Sequence, residues 1–151
     1  MLRLLHTTSE NPDFRTLVVL LDQDLAERDG AEHGFYAQFN KIANLQHVVV
    51  AYQGGEPAGC GAFKPFGADS VEIKRMFVKP AYRGQGIAQA ILAELEKWAA
   101  ELGHAACVLE TGQKQPEAIA LYQRSGYARI PNYGQYVGVE NSVCLRKELA
   151  N

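Results

Sequence analysis

The stretch from Ser70 to Glu110 confines this chain to a small set of folds. SVEIKRMFV at 70–78 has the β-branched, apolar character of a strand, and ACVLE at 106–110 reads as a second, buried one. Between them Ile87, Ile91, Leu95, Trp98 and Leu102 form one stripe at helical spacing. Gln89, Glu96, Lys97 and Glu101 fall elsewhere, and Gly103 is a natural stop. A strand, a helix and a strand in that order predict a right-handed βαβ crossover with its two strands parallel. Upstream the pattern differs. HVVVAY at 47–52, Gly54-Gly55 and PAGCGAFK at 57–64 read as a hairpin, so 47–78 is expected to be an antiparallel meander.

The flanks fit the same sheet. A short strand over Leu2 to His6 precedes a helix from Asn11-Pro12 to about Arg28, with Leu17, Leu20, Leu21 and Leu25 at helical spacing. A second helix is expected within Glu32 to Ile42, with Phe35, Phe39 and Ile42 on one side. A short helix starts at Pro116, a favoured first position, and stops at Gly126. Strands near 127–130 and 142–147 flank the loop PNYGQYVG. The expected sheet is antiparallel, then parallel, then antiparallel. At 151 residues the chain suits a single domain, without repeats or an obvious linker.

Composition narrows the function. A formal charge of -2 argues against a general nucleic-acid binder. No apolar run approaches membrane-spanning length; LVVLL at 17–21 is much too short, and a soluble, cytoplasmic protein is expected. Cys60, Cys107 and Cys144 lie far apart in apolar stretches, and His6, His33, His47 and His104 are scattered, so no metal site is visible.

The chemistry concentrates at VKPAYRGQGIA, residues 78–88, where a strand gives way to a helix through an arginine and two alternate glycines. Glycines there let the backbone approach a ligand, and free N–H groups at a helix start favour an anion such as phosphate. A Walker loop is excluded, because Gly86 is followed by Ile87-Ala88 and not Lys-Ser/Thr. A dinucleotide fingerprint fails because Gln89 replaces the third glycine and too little chain remains for a second half. Arg83-Gly84-Gln85-Gly86-Ile87-Ala88 instead resembles the Arg/Gln-x-x-Gly-x-Gly/Ala pyrophosphate loop of the GNAT family, the acyl-CoA-dependent N-acetyltransferases related to aminoglycoside and histone acetyltransferases. A second mark follows in order. Gln115-Pro116-Glu117-Ala118-Ile119-Ala120-Leu121-Tyr122, ending in Gly126-Tyr127, is similar to that family's Asn-x-x-Ala-x-x-Leu-Tyr…Gly-Phe/Tyr signature.

The resemblance, which covers roughly residues 47–130, implies an α/β acyl-CoA N-acyltransferase fold. That is a mixed, mostly antiparallel sheet of six to seven strands with a central parallel βαβ crossover and about four helices. It implies acetyl-CoA as acyl donor, with amides from about Gly84 to Ala88 capping the pyrophosphate and Arg83 adding a charge-assisted contact. The helix dipole adds about 0.3–1 kcal/mol per anion contact. It implies backbone contacts from Met76, Phe77 and Val78 to the pantetheine arm, and a contact from Gln115, which stands where the family has asparagine. Tyr122 matches the tyrosine beside the sulfur and is the candidate acid; its alternative is a core tyrosine with a satisfied hydroxyl. Glu72 is the candidate base, with a strand-face glutamate paired with Lys74 as the alternative and Glu110 as a rival.

Strict alternation along 70–78 puts Glu72, Lys74, Met76 and Val78 on one face and Val71, Ile73, Arg75 and Phe77 on the other. Lys74, Arg75 and Arg129 are candidates for holding a substrate carboxylate. Tyr133 and Tyr136, with Phe35, Tyr36 and Phe39 opposite, either shape an acceptor pocket or belong to the core. The expected reaction is transfer of acetyl from acetyl-CoA to a primary amine of a small, amino-acid-like acceptor by direct attack in a ternary complex. No cysteine lies in either motif, which disfavours a covalent route. A non-catalytic acyl-CoA sensor and a protein or peptide acetyltransferase are the alternatives, and a homodimer stays open.

Overall fold

A computed structural model describes residues 1–29 and 44–149. The element order is β1 (Leu2–Thr7), α1 (Pro12–Asp29), β2 (His47–Gln53), β3 (Glu56–Phe66), β4 (Ser70–Val78), α2 (Ile87–Glu101), β5 (Ala106–Gly112), α3 (Pro116–Arg124), β6 (Ala128–Ile130) and β7 (Ser142–Glu148). The helix expected within Glu32 to Ile42 lies outside the described residues.

The seven strands form one sheet in the order β1-β2-β3-β4-β5-β7-β6. Every neighbouring pair is antiparallel except β4–β5, the parallel pair the crossover requires. The Gly54-Gly55 turn between β2 and β3 has positive φ at both positions, 59° and 85°, the geometry a two-residue hairpin loop needs. α1 starts with Asn11 Oδ1 accepting the Phe14 N–H at 2.9 Å and Pro12 in the first turn.

The sheet has a core on each face. α1 buries Phe14, Leu17, Val18 and Leu21 against Val48, Val50, Cys60, Ala62 and Phe77 on one side. α2 buries Ile87, Ile91, Leu92, Leu95 and Ala99 on the other, joined by Tyr122 of α3. Leu102, expected in the α2 stripe, is instead half exposed, because the helix ends at Glu101 and Leu102 only caps it. Gly59 and Gly61 let α2 approach β3: a Cβ on Gly61 would come within 2.5 Å of Met76 Sδ and 2.9 Å of Ile91 and Leu95 methyls.

Two irregularities shape the site. First, the alternation expected along β4 breaks. Cys60 faces Phe77 and Ala62 faces Lys74, so Arg75 and Met76 together stand opposite the single Gly61. This is a β-bulge, with Arg75 at φ +60°. Beyond it the faces exchange: Met76 and Val78 join Val71 and Ile73 on the α2 side, and Phe77 packs towards α1 with Arg75, correcting the simple period-two assignment. Second, β4 and β5 pair only over Ser70–Glu72 and Ala106–Val108. Past Glu72 they separate, and the main chain of β4 loses its partner on that side.

Candidate active site

At the α2 start the sequence builds a bare helix end. Gly84 and Gly86 hold φ of 78° and 80°, which L side chains rarely adopt, and a Cβ at either would meet nothing within 4 Å. Here glycine serves backbone shape, with open space in front of it. Gly86 is the N-cap and supplies no side-chain hydrogen bond; its carbonyl accepts the first helical bond, from Ala90. The amides before Ala90 are therefore the orphan donors that a helix start leaves for a ligand. Ile87 turns into the core and Ala88 is half-buried, while Gln85 is exposed.

Arg83 is tied back onto β4. Its Nε donates to Val78 O at 2.8 Å and its guanidinium lies 5.6 Å over the Phe77 ring. That use of Nε leaves only the Nη groups for an anion. A cleft of about 440 Å³ runs from here along the end of β4 to α3, lined by Met76, Phe77, Val78, Arg83, Gly84, Gly86, Ile87, Ala88, Gln115 and Tyr122. Of the residues singled out for the cofactor, Gln85 alone lies outside its lining.

A second, smaller cavity of about 110 Å³ opens where β4 and β5 diverge. Glu72, Lys74, Arg75 and Met76 line it from β4, Glu110 and Thr111 from β5, and Tyr136 from the loop before β7. Leu21, Met76, Gln115, Ala118 and Tyr122 line both spaces, so the two meet at Tyr122.

Tyr122 is buried, its ring edge-on to Tyr127 at 5.8 Å. Burial, and then the charge of Glu110, push its phenol well above the usual tyrosine range, so it stays protonated. Glu72 is also buried. Its Oε2 accepts the Tyr133 hydroxyl at 2.7 Å, and its Oε1 lies 3.8 Å from Lys64 Nζ. Burial lowers the Lys74 pKa, opposed by Glu72 and Glu110, which places this ammonium in the field of both carboxylates. Arg75 is spent on Asp22, 2.6 Å away, and Arg129 is exposed on β6 and lines neither space. Of the three candidates for holding a carboxylate, Lys74 and Arg75 line the cavity.

The three cysteines are buried. Burial pushes Cys60 and Cys107 up to about 12, which removes them as thiolate nucleophiles near neutral pH. Phe35, Tyr36 and Phe39 lie outside the described residues. Among the described residues no cluster of three His, Cys, Asp or Glu could hold a metal ion, and no helix is long and apolar enough to cross a membrane.

Sequence reasoning missed Leu21, which its spacing marks only as core, and Arg124, which lines the larger cleft. In the last turn of α3 an arginine reads as a surface charge complementing the helix dipole, so nothing local flags it.

A family model described as "Acetyltransferase (GNAT) family" matches residues 10–127. An IAA acetyltransferase of Azospirillum brasilense is 33% identical over 135 residues, covering 88% of each chain. Among solved structures, a candidate acyl-CoA N-acyltransferase from Klebsiella pneumoniae superposes with a TM-score of 0.83 at 27% identity over 99% of both chains. The PaiA N-acetyltransferase of Thermoplasma acidophilum, solved with coenzyme A, shares the fold at a TM-score of 0.71 and 16% identity over 98% of this chain and 99% of that one.

Proposed function

The chain belongs to the acetyltransferase (GNAT) family, and from that premise we propose that it moves acetyl from acetyl-CoA to the primary amine of a small, amino-acid-like acceptor. Transfer occurs by direct attack within a ternary complex, in a single domain. The observation that carries the reading is the meeting of two spaces at Tyr122: a long cleft ending on uncapped helix amides, and a small cavity lined by carboxylates.

The residues fit acetyl-CoA as the donor substrate. The amides at the start of α2 bind the pyrophosphate, in the open space that the glycines leave. The arm of the donor lies along Met76, Phe77 and Val78, where β4 has lost β5 as a partner. A main-chain N–H there polarises the thioester carbonyl. Gln115 contacts the same arm at the α3 N-terminus. Acetyl as the transferred group is supported by the names of the relatives.

An acceptor amine arrives as an ammonium and must lose a proton before its lone pair can attack. Glu72 takes that proton, with Glu110 lining the same cavity as a second carboxylate. Lys74 suits an acceptor carrying its own carboxylate. The nitrogen bonds to the acetyl carbon, the carbon–sulfur bond breaks, and the Tyr122 hydroxyl gives its proton to the departing thiolate. Burial keeps Tyr122 in the phenol form, which holds the proton in place and also makes it a weaker acid than a free tyrosine.

Mixing the protein with acetyl-CoA and a panel of amines and amino acids, while following free thiol, tests the reading. Amine-dependent thiol release is expected. Tight acetyl-CoA binding with no amine consumed would make the protein a sensor and overturn the proposal.

A further inference from the structure

Resting on the reading of Glu72 as the base, we infer that Tyr133 is a positioning residue: it holds the Glu72 carboxylate in place and thereby couples the loop before β7 to the acceptor's chemistry. Tyr133 is not among the residues lining the acceptor cavity; it touches two that are, Glu72 through its hydroxyl and Tyr136 through its ring. Its hydroxyl donates to Glu72 Oε2 at 2.7 Å, a short contact to a charged acceptor. Among the described residues, Lys64 Nζ stands 3.8 Å from Oε1, beyond good hydrogen-bond length, and Lys74 feels the charge of the same carboxylate. Glu72 is also the last β4 residue paired with β5, so its side chain sits where the sheet begins to open. One fixed oxygen there leaves the other to take a proton.

Tyr133 is built to keep that grip. Burial and the neighbouring Glu72 charge hold its phenol protonated, the form that donates. Its ring packs edge-on against Phe66 at 4.7 Å and Tyr136 at 5.9 Å. The adjacent Asn132 ties the loop to itself, its Nδ2 lying 3.1, 3.0 and 3.2 Å from the carbonyls of Tyr136, Val139 and Ser142. The loop therefore meets the site at two points: Tyr136 on the cavity wall and Tyr133 behind the base. An acceptor that pushes on Tyr136 shifts the support of Glu72.

A double-mutant cycle tests this. Tyr133→Phe keeps the ring contacts and removes only the hydroxyl. It is expected to lower kcat with the best acceptor about tenfold, the worth of one charged hydrogen bond, while the acetyl-CoA Kd stays unchanged and the Tm falls, because a buried carboxylate loses a donor. In a Glu72→Gln background the same change should have no further effect. In Glu72→Asp, whose carboxylate is one methylene short of Tyr133, it should again be silent. Full kcat in Tyr133→Phe, or losses that multiply in the double variant, would overturn the inference and leave the acetyltransferase reading intact. Full activity of Glu72→Gln alone would remove the base, and this inference with it; absence of turnover in the unaltered protein would instead strike the function itself.

Discussion

Tyr122 and Gly86 carry the most separable claims about single side chains. Replacing Tyr122 by Phe preserves the buried ring and its contact with Tyr127 but deletes the proton that the proposed mechanism gives to the departing thiolate. kcat is expected to fall about 100-fold, at the low end for proton transfer because a thiolate leaves readily, with acetyl-CoA affinity little changed. Steady-state kinetics with binding measured separately distinguish that from a loss of folding. Gly86→Glu acts on the other half of the site. It forces a side chain into φ +80°, at a cost of about 1–2 kcal/mol, and puts a carboxylate in the space meant for phosphate. Acetyl-CoA affinity should drop at least about tenfold by calorimetry; unchanged affinity would move the pyrophosphate elsewhere. The sequence singles out these two positions because short motifs contain them. It does not show the Tyr133–Glu72 contact, which joins residues 61 apart through the tertiary fold.

For whole strands and helices, periodicity placed nearly every one within a residue or two, including β4 at 70–78. What it could not supply was the bulge at Arg75, because no residue there announces positive φ; arginine is a poor choice for it on intrinsic grounds. An ion pair between the buried Arg75 guanidinium and the half-exposed Asp22 of α1 accompanies that conformation. Asp22→Ala leaves the Arg75 guanidinium without this partner and should cost about 1–3 kcal/mol, read by urea denaturation, whereas Asp22→Asn should cost less.

A second contact between elements is sensitive to pH. His47 of β2 stacks on Phe63 of β3 at 4.7 Å and meets Trp98 of α2 edge-on at 5.0 Å. Burial first, and His104 second, hold its pKa below 6.5, so this imidazole binds a proton less readily in the folded chain than in the unfolded one. The contribution of His47 is therefore fully present above pH 6.5 and is lost as pH falls from there through its folded-state value. Tm should decline across that window more steeply in the natural protein than in His47→Phe, which retains the stacking. Parallel Tm–pH curves would show that the site does not couple to folding.

Across the molecule the decisive feature is the opening between β4 and β5, where only three residues of each strand pair. Strand periodicity does not reveal this separation, since it says nothing of where pairing stops. In the proposed complex acetyl-CoA lies along the free side of β4 and, at one end, closes the amides of α2. It should therefore stabilise both halves of the sheet together, through segments distant in sequence. At a hundredfold excess over Kd, binding to the folded state alone is worth about 2.7 kcal/mol, a Tm rise of roughly 5–10 °C for a chain this size. Hydrogen exchange should slow chiefly over residues 76–89 and at the start of α3, and at the same ligand concentration the Tm rise should fall to about half or less in Gly86→Glu. Protection confined to β1, β2 and α1 would place the ligand on the wrong side of the sheet. A Tm rise undiminished in Gly86→Glu would show that the helix amides are not what holds it.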